Sequence, residues 1–204
     1  MEKFLALSQE KQQTIIQAAM QCFGKYGYDK ASVNDIAVAA HISKASIFQY
    51  FGSKKQLYVF LLEHCMKTVM PAFDQRALDG EKDLLDRILL SSRIKTAVLT
   101  AHPYMPQFLS SVWEEASPEV GELLETMKQE AGRFRSDMVL REGDAEKFKD
   151  PADASAVYQM LLLMAEGYTA RYRNAPSFDF DLVMQDFEKN VAILKKNFYK
   201  KEYL

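Results

Sequence analysis

The sequence predicts an all-α protein: an N-terminal three-helix domain built on a helix-turn-helix, followed by a C-terminal helical domain. Three observations lead there. Apolar residues recur at the helical period along the chain, and no stretch alternates convincingly as a strand would. Serines precede the first helical stretches and glycines follow several of them, as helix start and stop signals do. Glycine (8) and proline (6) are scarce among 204 residues, too few turn formers for a β-rich fold.

The first helix is expected from about Glu10 to Tyr26, capped by Ser8 and ended by Gly27, with Ile15, Ala19, Cys22, Phe23 and Tyr26 on one stripe. Ser32 and Asp35 form an S-x-x-D capping box for a short second helix ending near Ala39. A tight turn, Ala40-His41-Ile42-Ser43, leads to a third helix, Lys44 to Phe51, capped by Ser43 and closed by Gly52. Ser53 and Gln56 start a fourth, running to about Val69 before Pro71. Longer amphipathic stretches follow: Asp83–Ala101, Pro103–Glu115, Pro118–Arg141, Ala152–Asn174 and Phe180–Tyr199. Their punctuation is His102-Pro103, Ser117-Pro118, Gly143 to Pro151 and Ala175-Pro176-Ser177. The domain division expected is 1–52 for the helix-turn-helix and 53–204 for the rest, with 53–70 as a connecting helix.

Composition removes several classes. The hydrophobic fraction is 48%, and a chain this long can bury roughly 70% of its unfolded surface in a core. The purest apolar run, Met160 to Ala165, is far short of a membrane span, and Met1 to Leu7 is too short for a signal peptide. Two cysteines, Cys22 and Cys65, make neither a disulfide framework nor a zinc site. A cytoplasmic protein without membrane contact is the expectation. The three histidines are scattered, and no G-x-S-x-G or phosphate loop occurs, so no metal, cofactor or catalytic site is expected and an enzyme is the weakest reading. Glu114-Glu115 reads as a solvated face. Gly24-Lys-Tyr-Gly27 has the spacing of an RNA clamp but ends a helix, which rejects it.

The net charge of −2 hides an asymmetry: residues 1–55 carry +3 and residues 56–204 carry −5. Lys44 opens the third helix, and Lys54 and Lys55 open the fourth. Cations there oppose the helix macrodipole, at a cost of about 0.3–1 kcal/mol each. A phosphate at these helix starts resolves the conflict; three solvated lysines are the alternative. Ile36, Ala37, Ile42, Ile47 and Phe51 would hold the motif against the first helix. That leaves Lys44, Ala45, Ser46, Phe48, Gln49 and Tyr50 outward. Gln can bond adenine bidentately, Ser can bond bases or phosphates, and Phe and Ala can meet a thymine methyl.

The runs Ile16 to Gly27 (IQAAMQCFGKYG), Ser32 to Ala37 (SVNDIA) and Ile42 to Leu57 (ISKASIFQYFGSKKQL) together resemble the N-terminal domain of the tetracycline-repressor (TetR) family. The resemblance covers about residues 8–60. It implies a homodimeric transcriptional regulator, usually a repressor, whose third helix enters the major groove of one operator half-site. By position it implies that Ser32 and Val33 meet a phosphate. It puts Lys44, Ala45, Ser46, Phe48 and Gln49 on the recognition helix, and Tyr50 and Lys54 on phosphates at its far end. His41 and Ala45 depart from the family, which often has glycine there; His41 would need a left-handed backbone. Phe48 lacks the hydroxyl of the tyrosine often found at its position.

The same resemblance implies a C-terminal domain that dimerises through its last two helices and often binds a small effector. Val157 to Ala165 is apolar nearly all round, so one face suits the core and another a partner. Val183, Phe187, Val191, Leu194 and Phe198 make a stripe on the last helix. Tyr104, Phe108, Trp113, Met127, Phe134, Met138, Met164 and Tyr168 are candidate walls of an effector pocket, since Met and aromatic residues suit adaptable apolar sites; plain core is the competing reading. Tyr172 belongs to the same dense set. Glu166 fits a buried anchor or solvent equally, and Arg93 and His102 are weaker candidates. Lys195, Lys196, Lys200 and Lys201 read as a basic tail. The function expected is a sequence-specific DNA-binding regulator released from its operator by a small molecule, the alternative being one governed by a protein partner instead.

Overall fold

The computed structural model describes residues 1–174 and 179–204, without the side chains of 172–174. The joint at Ala175-Pro176-Ser177 and the side chain of Tyr172 therefore lie outside the described residues. The α-helices are α1 (Glu2–Leu5), α2 (Gln9–Lys30), α3 (Val33–Ala39), α4 (Lys44–Phe51), α5 (Lys54–Val69), α6 (Gln75–Gly80), α7 (Leu84–Ala101), α8 (Met105–Glu114), α9 (Gly121–Val139), α10 (Asp153–Asn174) and α11 (Phe180–Phe198). Short 3-10 turns occupy Met70–Ala72, Asp144–Lys147 and Lys201–Tyr203. Among the described residues the only extended pairing is one antiparallel bridge, Phe148 with Tyr199.

Local chemistry sets the helix ends. The hydroxyls of Ser8, Ser32, Ser43 and Ser53 each accept a hydrogen bond from a first-turn N–H of the helix they precede. Gly52 ends α4 at φ 80, and His41 turns the chain at φ 54, the left-handed backbone its position requires. Gly27 does more than end the first helix. At φ 71 it bends the chain, which resumes helically to Lys30. The bend carries Tyr28 inward to full burial and leaves Tyr26 45% exposed, so the last place on the stripe expected of Tyr26 is filled by Tyr28.

The chain divides into two compact units, residues 1–70 with 102–128, and residues 71–101 with 129–204. The first unit extends past residue 52 because α5 and α8 share its core. Phe23, Tyr28, Tyr58 and Phe108 are all buried, with Tyr58 edge-on to Phe23, Tyr28 and Phe108 at 5.0, 5.1 and 5.4 Å. Helix α2 packs most extensively on α8. A Cβ on Gly24 would lie 3.0 Å from the backbone nitrogen of Phe108 and 3.1 Å from the carbonyl carbon of Gln107, so the α8 backbone lies where a side chain would project. Both glycines of the rejected clamp motif thus have structural work, Gly24 in this close approach and Gly27 in the bend.

In the second unit Leu78, Leu85, Phe148, Val157, Leu161, Phe187 and Val191 form the apolar core. Beside it lies a satisfied ionic cluster. The buried Arg87 guanidinium donates to both oxygens of Asp144 (2.7 and 2.6 Å), to the Val139 carbonyl (2.6 Å) and to the Glu81 carbonyl (2.8 Å). Asp83 accepts from the N–H groups of Leu85 and Asp86, from the Tyr199 hydroxyl and from Lys147. Lys195 bonds Asp86 at 2.7 Å and lies 3.3 Å from Asp83, so it is an internal partner, not part of a solvated tail. Acids brought close from α7 and the segment before it account for this; its sequence neighbours gave no sign of them.

Three outcomes are expected. Gly24→Ala gains about 0.5–1 kcal/mol of helix propensity but meets the Gln107–Phe108 peptide group, an overpacking cost of about 1–3 kcal/mol, so urea denaturation should show a net loss. Gly132→Ala, with nothing within 4 Å of its added methyl, should gain about 0.5–1 kcal/mol. Burial pushes the Asp83 carboxyl up, but Lys147, the Asp86 N–H and Lys195 outweigh it and hold it below its ordinary value. Its ionised form is then favoured by folding. That stabilisation is present above the unfolded value of about 3.9 and is lost as pH falls through the lower folded one. Stability measured from about pH 5 downward should fall less steeply in Asp83→Asn than in the parent; equal slopes would contradict the assignment.

Candidate nucleic-acid interface

Helices α3 and α4 form the helix-turn-helix. Ile36, Ala37, Ile47 and Phe51 are buried and Ile42 is half-buried, so the apolar contacts expected of the motif are made. Ile47 and Phe51 occupy the inward side of α4. Lys44, Ala45, Phe48 and Gln49 are exposed, Phe48 to 41%, and Ser46 is half-buried with its hydroxyl 2.8 Å from that of Ser43. These residues make one continuous outward surface of lysine, amide, hydroxyl and apolar groups. The Lys44 ammonium sits 6.0 Å from the centre of the Phe48 ring.

The helix starts carry free N–H groups and no acid. Neither α4 nor α5 has an acidic residue in its first turn, while Lys44, Lys54 and Lys55 occupy the first positions. Lys54 is already engaged: its ammonium donates to the Asp29 carbonyl at 3.1 Å and lies 4.6 Å from the centre of the Tyr28 ring. It ties the start of α5 to the end of α2 and keeps two of three donors for an anion. Val33 is buried, so only its backbone N–H can face a phosphate; Ser32 beside it is half-buried. Tyr50 is half-buried, with its ring 6.2 Å from that of Phe4. Helix α1 and its Phe4 were missed by sequence reasoning, because a four-residue helix is too short for periodicity to register.

The eight pocket candidates divide between the two units. Tyr104, Phe108, Trp113 and Met127 belong to the first unit, and Phe134, Met138, Met164 and Tyr168 to the second. Phe108 and Met138 are core residues, while Trp113 and Phe134 are exposed, Phe134 edge-on to Phe73. Tyr104 and Met127 are half-buried; Met164 and Tyr168 pack beside the second core. The Tyr168 hydroxyl donates to Asp186 and accepts from Asn190. Two shallow surface grooves of the second unit are lined by none of the eight. Glu166 is exposed, Arg93 pairs with Glu188 at 2.8 Å, and His102 is half-buried.

Glu115 was read as a solvated carboxylate and is a structural one. It accepts from the N–H of Tyr28 at 2.6 Å and from those of Ala116 and Ser117 at 3.1 and 2.9 Å. On the last two helices, the stripe of Phe187, Val191, Leu194 and Phe198 faces its own core. Other apolar residues remain outside: Met160 is 47% exposed, Leu163 67%, Leu182 62% and Ile193 58%. No helix among the described residues is long and apolar enough to cross a membrane.

Comparison with known proteins agrees with this geometry. The family model described as bacterial regulatory proteins, tetR family, matches residues 15–59, which span most of α2 and all of α3 and α4. An HTH-type transcriptional repressor of Mycobacterium tuberculosis is 26% identical over 166 residues, 79% of this chain and 81% of that protein. The nucleoid occlusion factor SlmA of Vibrio cholerae is 24% identical over 182 residues, 84% of this chain and 90% of its own. A TetR family transcriptional regulator from Chloroflexus aurantiacus shares the fold with a TM-score of 0.71 at 17% identity, covering 98% of this chain and 99% of that one.

Proposed function

The chain belongs to the TetR family of bacterial regulatory proteins and is a DNA-binding transcriptional regulator; from that premise we propose that it is a homodimeric repressor that a small molecule releases from its operator. Residues 1–52 read the DNA, and the remainder dimerises and receives the effector. The observation that carries the reading is the outward face of α4, where Lys44, Ala45, Phe48 and Gln49 are exposed beside a half-buried Ser46 while Ile47 and Phe51 are buried.

In this reading α4 lies in the major groove. Gln49 bonds a base edge, Ala45 and Phe48 meet thymine methyls, and Ser46 bonds a base or phosphate. Ser32, the Val33 N–H, Tyr50 and the spare donors of Lys54 hold phosphates around it. Dimerisation through α10 and α11 uses their exposed Met160, Leu163, Leu182 and Ile193. Two copies of α4 then meet successive major grooves about 34–36 Å apart. An effector that binds better to a dimer with another spacing draws the population away from DNA by its differential affinity.

A second reading replaces the small molecule with a protein partner. It is favoured by Phe108 and Met138 lying in core and by the internal bonding of the Tyr168 hydroxyl. Native mass spectrometry of protein purified without denaturation separates the two, since a retained metabolite supports the effector reading.

Selection of bound duplexes from a random library tests the DNA reading, and a palindromic consensus is expected. Lys44→Ala should weaken binding to selected and scrambled duplexes alike and lower the salt slope by about 1. Gln49→Ala should relax preference at one position per half-site, worth about 1–3 kcal/mol. Parent-like binding by both variants would remove α4 from the interface. Leu163→Glu should yield monomers in analytical ultracentrifugation and abolish operator binding; a dimeric Leu163→Glu protein would move the interface elsewhere.

A further inference from the structure

Phe4 is completely buried although it stands on α1, outside the helix-turn-helix. Its ring lies 4.9 Å from that of Phe51, 5.2 Å from Phe60 and 6.2 Å from Tyr50. Tyr50 and Phe51 are the last residues of α4, and Phe60 is on α5. The side-chain amide of Gln12 on α2 holds α1 in place, donating to the carbonyls of Leu5 (3.2 Å) and Leu7 (2.9 Å).

Helix α4 needs such a restraint. Its two fully inward anchors, Ile47 and Phe51, are four residues apart and lie on one line along the helix. Two anchors on a line fix the helix in place but resist roll poorly. Tyr50 stands about 100° round the helix from Phe51, so a ring touching both opposes roll. The stakes are geometric: a roll of about 20° moves a side-chain tip some 6 Å from the axis by about 2 Å, which is enough to break a hydrogen bond.

We propose that Phe4 is a positioning residue for DNA reading: it touches no DNA, and by wedging α1 against Tyr50, Phe51 and Phe60 it fixes the roll at which α4 presents Gln49. This rests on the reading of α4 as the DNA-contacting helix.

The test compares full-length parent, Phe4→Ala, Phe4→Leu and Gln12→Ala for binding to the duplex that the parent selects from a random library and to a scrambled duplex. Circular dichroism first establishes a temperature at which each is as helical as the parent. Phe4→Ala should lose about tenfold or more on the selected duplex, the value of one lost base contact, with scrambled-duplex affinity unchanged. Phe4→Leu, which refills the volume, should recover most of the loss. Gln12→Ala, which loosens α1 without opening a cavity, should lose discrimination by a smaller factor. A folded Phe4→Ala that discriminates like the parent overturns the proposal, and so does equal loss on both duplexes. Should Phe4→Ala not fold, unchanged discrimination in Gln12→Ala overturns the proposal and reduced discrimination supports it. A parent that selects no duplex overturns the reading of α4 itself, and with it this proposal, before any variant is compared.

Discussion

The backbones of α2 and α8 meet at Gly24, and the first unit is arranged around that contact. A methyl group there would lie within 3.1 Å of main-chain atoms of Gln107 and Phe108. The close approach lets Phe108 reach the aromatic cluster of Phe23, Tyr28 and Tyr58. Three residues on, Gly27 bends the chain so that Tyr28 turns into the same cluster and its N–H meets the Glu115 carboxylate. Burial holds the Tyr28 and Tyr58 phenols well above their ordinary range, so these rings stay neutral at any physiological pH. The result is a stiff base, made by α2, α5 and α8, against which the short α3 and α4 rest.

That base explains how an eight-residue helix can hold a fixed outward face. Isolated helices of this length are unstable in water, so α4 exists because Ser43 caps it, Gly52 ends it and Ile47 and Phe51 bury into the base. Its outward residues are then free to be chosen for chemistry rather than packing. The modest +3 of residues 1–55 fits the proposed recognition by a few placed phosphate contacts; Lys54, proposed as one of them, ties α5 to α2 through the Asp29 carbonyl.

What could be read from the sequence was what is decided locally. The caps at Ser8, Ser32, Ser43 and Ser53, the stop at Gly52 and the left-handed His41 depend on residues within one turn of each other. The order of the long helices followed from periodicity. What could not be read were pairings between distant segments. Glu115 looked solvated because its partner, the Tyr28 N–H, is 87 residues away. Lys195 looked like part of a tail because Asp86 is 109 residues away. Tyr26 was placed last on the inward stripe because the helix was expected to stop at Gly27; the bend there and the helical turn to Lys30 beyond it bring Tyr28 inward instead. The eight pocket candidates were chosen by density of Met and aromatic residues, a property that core and cavity share. The outward face of α4 was legible because Ile47 and Phe51 left it no other inward residue to offer.

The most direct test of the central claim, that the outward face of α4 lies in the major groove, is site-specific photo-crosslinking to the selected duplex. A photoreactive residue is installed in place of Gln49 or, for reference, in place of Glu63, which is exposed on α5. Cross-links from position 49 should map to bases at two symmetric positions about one helical turn apart, with none from position 63. Cross-links from position 63 with none from position 49 would contradict the account.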